Sequence, residues 1–206
     1  MMRKLTFSSS TFRNILFLAF ILSAVFFAFS PTLKNDFVFW DDDVHLYENI
    51  MVRSLDSEHV KDIFQRTVNK LYIPLSILSF AIEYHYFGYN PFVYHLDNLI
   101  LHLFVVGFIY WLGIRLGLSV AGSGAAALIF GVHPMHVESV AWVTERKDVL
   151  YSFFYMASLL SYSRYLDFTK STPSFQNKKL SRFLVLAVVF GILSMLAKPM
   201  ALSLPI

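Results

Sequence analysis

The chain has 206 residues, 56% of them hydrophobic and 17% aromatic, with 22 Phe, 11 Tyr, only 15% charged residues and a net charge of +3. Its mean hydropathy of +0.56 excludes an ordinary water-soluble domain, which has too little interior to hide so much apolar surface, and points to a bilayer. The lack of cysteine excludes disulfides and thiolate metal centres, and Lys and Arg scattered between apolar stretches form no stripe for nucleic acid.

The first apolar stretch, residues 15–33, follows Arg3, Lys4 and Arg13. It is longer than a signal-peptide core, and Phe27-Ala28-Phe29-Ser30-Pro31 lacks a small-residue cleavage pattern, so a retained membrane span is predicted. Residues 34–91 form the most polar part and read as a long external loop. Within it, 57–67 puts Val60, Ile63 and Phe64 on one helical face and Lys61, Asp62 and Arg66 on the other. Residues 71–87 have Pro74 in the first turn, where it is tolerated, and carry Glu83, His85 and several tyrosines, the pattern of an interfacial helix. Gly88-Tyr89-Asn90-Pro91 breaks the chain.

The remaining spans occupy 92–206. Residues 92–116 are long enough to cross. Residues 120–132 are short and pass through His133-Pro134 into a piece ending at Val143. Residues 149–166 follow, then a polar loop, then 183–196 running on through Lys198-Pro199. The fold class is all-α: a polytopic membrane helix bundle of about five spans, one membrane domain over 1–206, with short interfacial helices in the first external loop. The Lys/Arg bias of short loops puts Arg3, Lys4, Arg13, Arg115, Arg164, Lys170, Lys178, Lys179 and Arg182 on the cytoplasmic side. Asp41, Asp42, Asp43, the turn Glu145-Arg146-Lys147-Asp148 and Lys198 then converge on the opposite face.

Carboxylates beside Phe39 and Trp40 in so apolar a chain are costly and mark a candidate working site. Crowding of like charges favours a raised pKa on one of them, as a general base needs; the ordinary alternative is a solvated loop. His95, Asn98 and His102 fall at i, i+3 and i+7 on one helical stripe, with His102 about 16 Å deep. Interhelical hydrogen bonding explains such a stripe equally well. His133, His136 and Glu138 have a spacing that can hold a divalent metal, but His-x-x-His without a third fixed ligand is weak. Arg146 and Lys147 are either a plain charged hairpin or a grip on a lipid-borne phosphate. Lys198 either snorkels to the interface or meets an anion.

Several motifs occur in order: Phe37-Val38-Phe39-Trp40-Asp41-Asp42-Asp43 with Tyr47-Glu48-Asn49; Tyr72-Ile73-Pro74-Leu75-Ser76; Tyr94-His95-Leu96-Asp97-Asn98 before Leu101-His102; His133-Pro134-Met135-His136-Val137-Glu138-Ser139-Val140-Ala141-Trp142-Val143 into Glu145-Arg146-Lys147-Asp148; and Lys198-Pro199-Met200. Together these resemble the membrane half of the transmembrane and tetratricopeptide-repeat O-mannosyltransferase-like proteins, particularly prokaryotic ones, over residues 35–206. The resemblance implies a GT-C type glycosyltransferase fold and O-mannosylation from a polyprenyl-phosphate-linked sugar to a protein or glycan acceptor at the non-cytoplasmic face of a prokaryotic plasma membrane. It further implies an acidic motif as general base or acceptor-positioning group. Alignment on Trp-Asp-Asp selects Asp41 and Asp42; alignment on the Asp-Glu-Val-His of protein mannosyltransferases selects Asp42 and Asp43. Asp42 is common to both and is the expected catalytic carboxylate. Arg146, Lys147 and Lys198 would meet the lipid phosphate, with His95, His133, His136 and Glu138 lining the substrate site. Relatives of this type carry further spans and helical repeats, so the chain is expected to be an N-terminal fragment. The competing reading is a non-catalytic membrane scaffold or anchor.

Overall fold

The computed structural model describes residues 9–171 and 178–204. Arg3, Lys4, Pro205, Ile206 and the polar loop at 172–177 lie outside the described residues. Among the described residues the chain is all-α, and its one extended pairing is an isolated antiparallel bridge between Val68 and Leu71. The helices are α1 (Ser9–Phe29), α2 (Ser57–Gln65), α3 (Pro74–Phe87), α4 (Pro91–Arg115), α5 (Val120–Gly131), α6 (His136–Ala141), α7 (Arg146–Ser171) and α8 (Lys178–Ala197), with short 3-10 turns at Ser30–Lys34 and Pro199–Ser203.

Local chemistry sets these boundaries. Asp56 caps α2 by accepting from the backbone N–H groups of Glu58 and His59, which satisfies two orphan donors of the first turn. Pro74 and Pro91 open α3 and α4 at positions whose N–H would have no helical partner. Gly88 ends α3 at φ +60, a conformation that costs a side chain strain. Between Val68 and Leu71 the chain reverses through Asn69 and Lys70, both at positive φ.

Two helices, Phe12–Lys34 and Pro91–Arg115, are long and apolar enough to cross a membrane; α5 and Arg182–Ala197 are shorter apolar helices. Helix α7 is long, but its serines and tyrosines dilute its apolar character, so the span expected at 149–166 does not stand out by hydropathy. Phe12, Leu16, Phe20 and Phe27 are all more than half exposed on α1. A contiguous apolar face of that kind is unsuited to water and marks a contact with membrane or protein.

The described residues hold two cores. Ile21, Val25 and Phe29 of α1 pack with Leu99, Val106 and Tyr110 of α4, Ala127 of α5 and Val149 of α7. Close approach of α5 depends on glycine. A Cβ at Gly131 would stand 2.5 Å from a Val25 methyl and 3.1 Å from one of Val106. The second core, built from Phe37, Leu46, Val52, Ile63, Ile77, Phe80, Tyr94 and Val143, makes the segment between α1 and α4 a folded cap on one end of the bundle. At the other end, α1 begins and α4 stops: the Tyr110 hydroxyl reaches the Asn14 carbonyl, and Arg115 bonds Ser163 and Asp167 of α7.

Candidate active site

The acidic run sits where the cap meets the turn between α6 and α7. Asp42 is buried, and four donors converge on its carboxylate. Oδ1 accepts from Trp142 Nε1 (3.1 Å), the Thr144 N–H (3.1 Å) and the Thr144 hydroxyl (2.6 Å), while Oδ2 accepts from the Val38 N–H (2.9 Å). A carboxylate so saturated is fixed in place by the protein itself, with charge-assisted hydrogen bonds on both oxygens. Its neighbours are open: Asp41 and Asp43 are half-buried. Asp43 accepts from the Val44 N–H, and Asn69 on the tight turn approaches Asp41 Oδ1 at 3.5 Å. The aromatic setting differs from expectation. Phe39 and Trp40 are more than 70% exposed; the indole that reaches Asp42 belongs to Trp142, a hundred residues on.

His45 lies beneath the run, fully buried, with Nδ1 2.9 Å from the Asp41 carbonyl. Burial lowers its pKa, the Asp41 carbonyl opposes this, and nearby Lys147 lowers it further. The ring is therefore neutral at physiological pH, and its Nδ1–H tautomer donates to Asp41. His95, buried on α4, has Asp36, Asp42 and Arg146 as its charged neighbours.

The phosphate-gripping role expected of Arg146 is corrected by its surroundings. Its side chain is buried and turned into the bundle. Nη2 lies 2.8 Å from Glu83 and donates to the Tyr94 carbonyl, Nε bonds the Asn98 side chain, Nη1 reaches Ser79, and the guanidinium stands over the Phe80 ring. Every edge of the fork is engaged, so it ties α3, α4 and α7 together and has no face left for a lipid. Burial pushes Glu83 up to about 8; Arg146 pulls the other way, and the neighbouring Asp97 raises it again.

Lys147 and Lys198 sit in a chain of alternating charge. Lys147 pairs with Glu145 at 2.7 Å and donates to the Thr144 carbonyl, and Lys198 pairs with Asp148. Burial raises the pKa of Glu145, Lys147 opposes that, and Asp148 reinforces it. Asp148 also lines a polar chamber of about 190 Å³ with His102, His136, Ser139, Tyr151 and Ser152. Val105, Phe130, Tyr151 and Ser152 are shared with an adjoining space of about 340 Å³ that also meets Ile109, Tyr155, Met156 and Met200. The two together make a groove with a polar end near Lys198 and an apolar end between α4 and α7.

Of the proposed ligand set, His136 reaches this chamber, 4.1 Å between ring centroids from Phe130. His133 and Glu138 are exposed, and among the described residues no three His, Asp or Glu side chains group as metal ligands. His102 meets the Gly131 carbonyl at 2.9 Å, and Asn98 donates to the Trp142 carbonyl, so both are interhelical links. Sequence reasoning assigned no role to Trp142, Thr144 or His45; the contacts of Trp142 and Thr144 with Asp42 join residues 100 and 102 apart, which no spacing rule reveals.

Human protein O-mannosyl-transferase TMTC4 is 32% identical over 207 aligned residues, covering 88% of this chain and 27% of that protein. Human TMTC1 is 34% identical over 139 residues (67% and 16%), and human TMTC3 is 41% identical over 96 (47% and 10%). No family model and no solved structure matches. The chain belongs to the TMTC-like family. It spans about a quarter or less of the length of these relatives.

Proposed function

We propose that this TMTC-like chain is the site-bearing membrane part of a mannosyltransferase that moves mannose from a polyprenyl-phosphate carrier to a hydroxyl of a protein or glycan acceptor. The reading includes about five spans of GT-C type, an N-terminus in the cytoplasm of a prokaryote, and a site at the non-cytoplasmic face. Its strongest support is the juxtaposition of two features on one turn. Residues 142–144 anchor the acidic run through Asp42, and Asp148 opens into a groove that is polar at one end and apolar at the other. A phosphate followed by a polyprenyl chain has that polarity.

In this scheme Asp42, the expected base, is instead the anchor because its carboxylate is buried and filled with donors; the half-exposed Asp41, approached by Asn69, takes the acceptor proton as the acceptor oxygen attacks the anomeric carbon. The bond from that carbon to the carrier phosphate breaks, and its electron pair stays on the phosphate. Lys198 balances the charge by exchanging Asp148 for the phosphate, with Lys147 as the second cation nearby. Lys198→Ala should weaken binding of polyprenyl phosphate by about 1.5–3 kcal/mol, the range for hydrogen bonds to a charged group. Unchanged binding in a folded variant would remove the groove from the scheme and favour the scaffold reading.

A further inference from the structure

A second cluster lies about 30 Å away along α4, counting from Tyr94 to Arg115 at 1.5 Å per residue. There α4, α7 and α8 enclose a cavity of about 200 Å³ lined by Trp111, Arg115, Leu160, Ser161, Arg164 and Phe183. We propose that it is a binding site for an anionic phospholipid of the surrounding membrane, with the phosphodiester between the two arginines and an acyl chain along Leu160 and Phe183. The proposal rests on the membrane reading of the chain and is independent of the sugar-transfer site.

The chemistry favours an anionic amphiphile. Arg115 is oriented by Ser163 and Asp167, which hold Nε and Nη2, so the cation is fixed at the cavity instead of sampling solvent. Arg164 enters no ion pair among the described residues and is exposed. Arg13 and Arg182 are exposed on the chain at the same end. Against these cations, Asp167 is the carboxylate in contact, and Arg115 offsets it. Trp111 is 42% exposed and supplies the flat amphipathic surface common at headgroup depth. Positive residues that merely set topology need no shared cavity; here two arginines, an indole and a serine hydroxyl line one.

Trp111 also provides the readout. The purified chain is reconstituted in phosphatidylcholine bilayers containing either brominated phosphatidylglycerol or brominated phosphatidylcholine at equal bromine content. Subtracting the signal of Trp111→Phe isolates Trp111 from Trp40 and Trp142. Quenching should be several-fold stronger with phosphatidylglycerol, and Arg164→Gln should reduce it to the phosphatidylcholine level. Arg164→Lys should retain most of the preference, which separates loss of charge from loss of fold. Equal quenching by the two lipids, or a preference that survives Arg164→Gln, would overturn the proposal. So would the absence of any lipid preference together with an Arg164-dependent thermal stabilisation by inorganic phosphate in detergent, which would make the cavity a free-anion site.

Discussion

At the residue scale, the three adjacent aspartates differ in their surroundings: Asp42 is buried, and Asp41 and Asp43 are half-buried. Asp42 is surrounded by donors that would be orphaned without it, among them the buried Thr144 N–H. Asp42→Ala should lower stability by about 3 kcal/mol, given what unsatisfied buried donors to a charged acceptor cost; denaturant or thermal unfolding in detergent checks this, and loss of less than 1 kcal/mol would deny it the anchoring role. Glu83 supplies a pH dependence of definite sign. Its unfolded carboxyl releases a proton near 4.5, while the folded one holds it to about 8. Between those values the folded state binds more protons, so stability should fall as pH rises through the window and level off above it. Melting curves across that range should show the fall in wild type, and Glu83→Gln should flatten it. On the tight turn, Lys70 sits at φ +64, where a side chain is strained and glycine is not. Lys70→Gly should stabilise the cap by about 0.5–1 kcal/mol.

At the element scale, hydropathy and breaker residues carried most of the information. Pro74, Gly88 and Pro91 bounded α3 and the start of α4, and the amphipathic pattern at 57–67 matched α2 within two residues. Helix α7 begins at Arg146, three residues before its apolar run, because the buried guanidinium of Arg146 joins α3 and α4. A charged turn and a helix start look alike in sequence; only the partner decides. The same limit hid the Asp42 anchor, whose donors come from Trp142 and Thr144, and misplaced Phe39 and Trp40 against the carboxylates. Helix contact is more predictable once seen. Gly131 faces the short, branched and buried Val25 and Val106, which cannot swing aside as a long side chain would. Gly131→Ala should therefore destabilise the bundle by about 1–3 kcal/mol, the usual cost of overpacking, and a neutral melting temperature would contradict this packing of α5.

For the whole molecule, the described basic residues Arg13, Arg115, Arg164 and Arg182 mark one end, and the cap, acidic run and groove mark the other. If the first end is cytoplasmic, a cysteine introduced at Ser57 should react with an impermeant thiol reagent from outside, and one at Ser174 should be protected; equal labelling would reject that topology. The composition already pointed to a bilayer, and the ordered motifs already pointed to the family. What required three dimensions was the contrast between the buried, donor-filled Asp42 and its half-buried neighbours. The most direct measurement is mannose transfer from a polyprenyl-phosphate carrier to a hydroxyl acceptor, in membranes carrying the protein with all of its chain, for wild type and Asp41→Asn. The variant keeps the size of the side chain but cannot take a proton. Wild type should transfer mannose, and Asp41→Asn should lose about 10²–10⁴-fold in turnover with unchanged polyprenyl-phosphate binding and unchanged melting temperature. Transfer by Asp41→Asn within a few-fold of wild type would contradict its role as base, and no transfer by wild type would contradict the enzyme itself.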